Sequence, residues 1–229
     1  MISIIIPTFN EEKNIGDLIT YLQRCVKHKP AELLVVDGGS TDSTCEIVKS
    51  TGAKLVHAPK PGRSKQMNYA ASVATGDILY FVHADTQPPK DFYSAITTQI
   101  NADNEAGCFT SIFDWNHPFL RFCNFFSRLP FWFCRGGGQT LYVKKSLFNK
   151  LNGFDETMIL MEEYEFISRL KKASSFAIIK KNAVTSARDY RKNGAVRLQL
   201  IYSVVFLMYA LGMSQNKMLE FVRKHVQKA

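Results

Sequence analysis

The chain has 229 residues, long enough for one large domain or two small ones, and its 46% apolar content is ordinary for a soluble globular protein with a real core. Its five cysteines (Cys25, Cys45, Cys108, Cys123 and Cys134) are odd in number and form no CxxC pair, which argues against a disulfide framework or a zinc site and for a reducing compartment. The net charge of +9 is uneven: residues 1–139 carry 13 Lys and Arg against 13 Asp and Glu, whereas residues 140–229 carry 16 against 7. The C-terminal part therefore either faces something anionic, such as a phosphate-bearing ligand, a membrane surface or nucleic acid, or presents a lysine-rich solvated surface. Nucleic acid is the weakest of these, because the basic half contains no recognised base-reading module.

The N-terminal "MISIIIPTFNEEKN" has too short an apolar run for a signal peptide, lacks a basic n-region and meets acids at once. It reads as the first strand of a cytoplasmic protein. "SIIIP", "ELLVVDG", "AKLVHA" and "DILYFVHAD" are short β-branched runs that predict four strands. Between and after them, residues 11–27, 43–51, 63–75 and 90–101 predict helices. Strands alternating with helices imply βαβ units and a mostly parallel sheet. Ligands of open sheets sit at the carboxyl ends of the strands. The loops found there are "PTFNEE", "DGGSTDS", "APKPGRSKQ" and "HADTQPP".

The second half is less regular. "GCFTSIFDW" predicts a strand, and "HPFLRFCNFFSRLPFWFCRGGG" is dense in aromatics and arginine. "GGGQTLYVKKSLFNKLNGFDE" reads as loop, strand, short helix and turn. "MEEYEFISRLKKA" predicts a helix and "SFAIIKK" a strand. Two C-terminal helices follow, apolar in "GAVRLQLIYSVVFLMYALGM" and amphipathic in "SQNKMLEFVRKHVQK". The apolar run from Leu200 to Met213 spans about 21 Å as a helix, short of the roughly 30 Å hydrocarbon core, so it predicts no transmembrane span. It packs on the sheet, on a second subunit as in a homodimer, or on the membrane surface as a peripheral contact on the inner face. The aromatic and arginine stretch fits the same surface, or an acceptor-site wall.

The ordered series "SIIIPTFNEEKNI", "VVDGGSTDST", "GRSKQMNYA", "TGDILYFVHADTQPP", "GGQTLYVKKSLFNKLNGFDE" and "MEEYEF" resembles the family 2 glycosyltransferases, up to roughly residue 195. The short "GRSKQMN" to "HAD" form and the tail "TSARDYRKNGAVR" look most like a subgroup of small bacterial enzymes, the arsenosugar-biosynthesis or radical-SAM/selenodomain-associated transferases. The resemblance implies an α/β fold of GT-A type. It would be a three-layer α/β/α sandwich with a mostly parallel mixed sheet and a helical C-terminal extension. It further implies a single catalytic domain over 1–229, with a nucleotide-binding half (1–106), an acceptor half (107–193) and C-terminal helices (194–229).

The implied reaction moves a sugar, with inversion, from a nucleotide diphosphate sugar donor, UDP above all, to the hydroxyl of an acceptor that the sequence leaves open: a sugar, a small molecule or a lipid-linked group. The resemblance places Pro7, Thr8, Asn10 and Glu11 around base and ribose, and Asp37 on the base. Asp37 could instead organise the Gly38-Gly39 turn, and Asp42 could cap the next helix. Arg63 opens a helix, where a cation gains nothing from the helix dipole, which favours anion binding. The family's Asp-x-Asp reads His83-Ala84-Asp85 here. Asp85 is then the ligand of a divalent cofactor, Mn²⁺ or Mg²⁺, and His83 is a second ligand, a ribose contact or a local packing residue. Glu163 stands at the position of the family's catalytic base, with Glu162 its alternative, although acids also gather at a helix start for the dipole alone. Gly137, Gly138 and Gln139 fall near the acceptor. Two rival readings are a nucleotidyltransferase, although "PTFNEE" lacks the glycine-rich phosphate loop, and a degenerate transferase fold that serves as nucleotide-binding protein or scaffold.

Overall fold

A computed structural model describes residues 1–129, 131, 134 and 136–227. Pro130, Trp132, Phe133 and Arg135 of the aromatic stretch therefore lie outside the described residues. The chain begins as alternating strands and helices: β1 (Ile2–Thr8), α1 (Ile15–Cys25), β2 (Ala31–Asp37), α2 (Thr44–Ser50), β3 (Lys54–His57), α3 (Arg63–Val73), β4 (Ile78–Phe81). Then come β5 (Thr86–Gln87), α4 (Phe92–Asn101), β6 (Ala106–Phe113), α5 (Pro118–Phe126), β7 (Leu141–Lys144), α6 (Lys145–Lys150) and α7 (Glu162–Ala173). The chain ends with β8 (Phe176–Thr185), α8 (Arg188–Asn193), α9 (Ala195–Ala210) and α10 (Gln215–His225).

Among the described residues the strands form one mixed sheet in the order β3-β2-β1-β4-β7-β6-β8-β5. The first four are mutually parallel. β7 runs antiparallel to both β4 and β6, and β8 is parallel to β6. All seven residues of β1 are buried, because helices cover both faces and an unbroken apolar run is what such a strand needs. Its alternate side chains divide between two layers. Ile4 and Ile6 pack with α1 and α4 through Leu18, Ile19, Phe92 and Ile96. Ile5 packs with α3, α6 and α7 through Met67, Phe148 and Phe166. This is the three-layer α/β/α arrangement expected from the sequence. No described helix is long and apolar enough to cross a membrane.

Several expectations need correction. α1 starts at Ile15 rather than Glu11, since Glu11 and Asn14 bond to each other at 2.7 Å and the Glu11 N–H is taken by Thr44 Oγ1 at 2.8 Å. β4 stops at Phe81, so His83 and Asp85 lie in the turn after it, closed by Thr86 N–H to His83 O at 3.0 Å. β8 runs on to Thr185, past a register shift opposite Phe109 and Thr110. β5, α5 and α8 were not expected as separate elements. α5 starts at Pro118, whose fixed φ suits a first helical position.

Candidate active site

The turn after β4 faces the start of α7. Met161 precedes that helix at φ 68°, a left-handed conformation unusual for methionine. The chain thus turns sharply, and Glu162 and Glu163 point inward at 3% and 6% exposure. Arg63 Nη1 donates to Glu162 Oε1 at 2.9 Å, and His83 Nε2 lies 2.8 Å from Glu163 Oε1. These two side-by-side pairs join α3 and the β4 turn to α7. Burial alone would lower the imidazole of His83 and raise the carboxyl of Glu163. Their contact outweighs it, holding His83 above its usual value and, with help from Arg63, Glu163 below its own. Glu163 is thus ionised at neutral pH. Its Oε2 has no hydrogen-bond partner among the described residues.

Asp85 sits at the rim of this group. Its Oδ2 is 3.5 Å from Arg188 Nη2, and Thr86 Oγ1 donates to its Oδ1 at 3.3 Å. Arg188 also grips Glu11 with both terminal nitrogens, Nη1 to Oε2 at 2.8 Å. That grip pushes the guanidinium further above its normal range. A cavity of about 230 Å³ opens beside Asp85 and is walled also by Lys13, Asn14, Asp17, Thr86 and Ser186. Arg188 is the candidate site residue that sequence reasoning did not single out. It lies in the tail "TSARDYRKNGAVR" that carries the subgroup resemblance, and in the basic C-terminal half, but neither signal pointed to this position.

Asp37 lies deeper along the same sheet edge and is 2% exposed. It accepts from the N–H groups of Gly39 at 2.9 Å and Ser40 at 3.1 Å. Burial pushes its carboxyl up, but the bonds from Ser40 and Gly39 outweigh burial and hold it below the usual range. Asp37 therefore does organise the turn. His57 Nδ1 also approaches it at 3.6 Å. Among the described residues, Asp37, Cys45 and His57 are the one trio of potential metal ligands whose atoms lie within 4.8 Å of one another; Asp85 and His83 belong to no such trio.

Around the first strand, Thr8 Oγ1 donates to Ile6 O at 3.0 Å, and Pro7 is paired with Val36 inside the sheet. Asn10 is exposed, and its Oδ1 is taken by Thr41 N–H at 2.9 Å. Gln66, which the sequence did not single out, donates from one buried nitrogen to Thr8 O and Val36 O, both at 2.9 Å, and locks the ends of β1 and β2 together. Asp42 accepts from the Thr44 N–H at 3.0 Å and so fixes the start of α2.

Residues Gly137–Gln139 form one 3-10 turn. Gln139 is buried and donates to Cys134 O at 2.8 Å. The turn rests on β8, where a Cβ at Gly138 would come within 3.1 Å of Thr185. Thr185 Oγ1 is 2.9 Å from Thr86 Oγ1, next to Asp85. One site thus gathers Arg63, His83, Asp85, Glu162 and Glu163, with Asp37 and the 137–139 turn at its two ends.

Comparison with known proteins identifies the family and the fold. The family model "Glycosyl transferase family 2" matches residues 3–140. Over 100 residues the chain is 30% identical to glucosyl-3-phosphoglycerate synthase of Mycolicibacterium smegmatis, covering 40% of this chain and 33% of that protein. The chain thus spans about a third of the length of the curated relatives it matches. Among solved structures, a mannosyltransferase from Pyrobaculum calidifontis in complex with GDP-Man and Mn²⁺ superposes with TM-score 0.68 at 20% identity, over 89% of this chain and 61% of that one. Glucosyl-3-phosphoglycerate synthase from Mycobacterium tuberculosis, in complex with Mn²⁺, UDP and glucosyl-3-phosphoglycerate, gives 0.60 at 18% identity over 93% and 80%. The folds are alike, the family model covers more than half of the 229 residues, and the chain belongs to the family 2 glycosyltransferases.

Proposed function

We propose that this protein transfers a sugar from a nucleotide diphosphate sugar, with UDP as the nucleotide, to an acceptor hydroxyl with inversion. The observation that carries the reading is Glu163: buried, ionised, fixed through Oε1 by His83, and open at Oε2 beside Arg63. Oε2 accepts the proton of the acceptor hydroxyl as its oxygen attacks the anomeric carbon. The bond from that carbon to the diphosphate breaks, and its electron pair leaves on the phosphate oxygen. A single displacement inverts the anomeric centre. Arg63 and Arg188, the guanidinium groups whose fields reach Asp85, meet the developing negative charge. Asp37 and the loop after β1 hold the base and ribose, and the 137–139 turn borders the acceptor.

Asp85 fits a hard divalent ion. It is an oxygen donor, a quarter exposed, held only by a long contact to Arg188 and a weak bond from Thr86. His83 fits less well, because Nε2 is engaged with Glu163 and only Nδ1 is left. A Mn²⁺ or Mg²⁺ ion on Asp85 would supply charge neutralisation at the diphosphate when bound. The Mn²⁺ in both compared structures supports a divalent cofactor.

The test is a screen of nucleotide sugars for transfer and slow hydrolysis with Mn²⁺, followed by two variants. Glu163→Gln should lose about 10²–10⁴-fold in turnover, the usual contribution of a general base, with UDP affinity nearly unchanged. If Glu162→Gln abolishes turnover and Glu163→Gln does not, the base is Glu162. If neither loses turnover, the two acids serve only to hold Arg63 and His83, and the catalytic assignment fails. UDP binding without turnover of any sugar would favour the degenerate-fold reading, in which the replacement of the first Asp by His83 is a loss of function.

A further inference from the structure

α9 is apolar on all sides, the pattern of a helix buried all round. Only half of it is buried. Ala195, Leu198, Ile201 and Val205 face inward, with Ala195 and Leu198 meeting Leu120 and Tyr190 of α5 and α8. Val196, Leu200, Val204, Leu207 and Leu211, spaced by three and four, form an opposite stripe that is 41–71% exposed. At 1.5 Å per residue the stripe is about 24 Å long. On the adjoining α5, Phe122, Phe125 and Phe126 are 63%, 56% and 39% exposed and stack edge to face on one another. An exposed apolar surface of this extent on neighbouring helices marks a contact site.

Charge identifies what covers it. Residues 194–229 hold five Lys and Arg against the single acid Glu220, and residues 117–135 hold three arginines and no acid. Arg197 Nη2 bonds to His225 O at 3.1 Å, which brings Arg197, Arg223 and Lys224 together at the end of the stripe that begins with Val196. On the α5 side a cavity of about 590 Å³ is walled by Arg121, Asn124, Phe125, Arg128 and Trp115. Neither arginine forms an ion pair among the described residues, while Asp114 in the same wall is already taken by Arg191 and the Ala187 N–H. A second copy of the chain would bring Arg121, Arg128, Arg197, Arg223 and Lys224 against the same set. An anionic lipid layer meets both features at once, with acyl chains for the leucines and phenylalanines and headgroups for the basic rim.

We infer that this corner of the molecule, the outer faces of α5 and α9 with their basic rim, docks on an anionic lipid surface. The contact is independent of the transfer chemistry. The full chain should pellet with sucrose-loaded vesicles rich in phosphatidylglycerol, much less with phosphatidylcholine alone, and release as salt rises. Each basic residue at an anionic surface is worth on the order of fivefold in partitioning, so Arg223→Glu/Lys224→Glu should weaken binding at least about tenfold. Leu207→Ser/Leu211→Ser, which removes only exposed leucines, should also release the protein while sugar-nucleotide hydrolysis and thermal melting stay as in the parent. Failure to pellet with anionic vesicles, or equal binding to both vesicle types, overturns the inference. So does wild-type binding by both double variants when each is folded. If the leucine variant instead converts a sedimenting dimer to monomer and vesicles bind neither form, the occupant of this face is a second copy.

Discussion

Glu162 and Glu163 are consecutive at the start of α7, yet they serve different partners, Arg63 and His83. The identity of both acids was legible in the sequence; their division of partners was not, because it depends on how far α3 and the β4 turn lie from one helix end. Asp37 shows the same limit from the other side. A carboxylate before two glycines reads equally as turn former or ligand, and it is bonded to the turn at Gly39 and Ser40. Asp37→Asn separates the roles, since the amide keeps an acceptor oxygen for the turn and removes the charge. Hydrogen bonds to charged groups contribute about 1.5–3 kcal/mol, so UDP affinity measured by calorimetry should fall about 10- to 100-fold while the melting temperature changes little. A large loss of melting temperature with unchanged affinity would leave Asp37 a turn residue only.

At the scale of elements, the first four strands and helices were legible because each carries its own apolar period and ends in turn residues. The parts that escaped owe their state to distant partners. β5 is two residues long and exists through pairing with Val184 and Thr185. α8 is short and polar, and β7 enters antiparallel between β4 and β6, which no local period encodes. Gly107 of β6 marks one such contact: a Cβ there would fall 2.4 Å from Ala177 O and 2.6 Å from Tyr142 OH. Neither neighbour can retreat easily, one being backbone and the other a buried ring. Gly107→Ala should therefore cost about 1–3 kcal/mol in denaturant unfolding, the range of overpacked cores. A neutral result would mean that β6 and β8 can separate at this point.

Glu32 gives β2 a pH-sensitive tie. Its carboxylate accepts from Ser3 Oγ at 2.5 Å on β1, and from Thr75 N–H at 2.6 Å and Thr75 Oγ1 at 2.8 Å ahead of β4. Burial pushes this carboxyl up, but the bonds from Ser3 and Thr75 prevail and hold it below its ordinary 4.5. A carboxyl depressed by folding stabilises the native state above its unfolded value and loses that contribution as pH falls through the folded one. Between about pH 6 and pH 3, the parent should lose more unfolding free energy than Glu32→Gln, whose amide does not titrate. Equal losses in both proteins would remove this tie from the acid response.

For the whole molecule, the candidate site lies where the earlier and later parts of the chain meet. The chain from β1 through the turn after β4 carries Asp37, Arg63, His83 and Asp85, while the later chain carries Glu162, Glu163 and Arg188. Under the proposed function, a donor bound across that junction would contact both halves and stabilise the native state as a unit. Ligand at about a hundred times its Kd adds roughly 2.7 kcal/mol. In a domain of this size that raises the melting temperature by about 5–10 °C. UDP with Mn²⁺ should give a shift of this order, and chelator should reduce it to the part due to nucleotide alone. Asp85→Asn should lose the Mn²⁺-dependent part while keeping the rest, because Asp37 and the first loop are untouched. Arg188→Met tests the other wall. It frees Glu11 and Asp85 from their shared cation, so the metal-dependent shift should persist or grow while turnover falls through the lost charge at the diphosphate. If Asp85→Asn keeps the full Mn²⁺ increment, the ion is held elsewhere on the chain. The trio Asp37, Cys45 and His57 is then the next place to mutate.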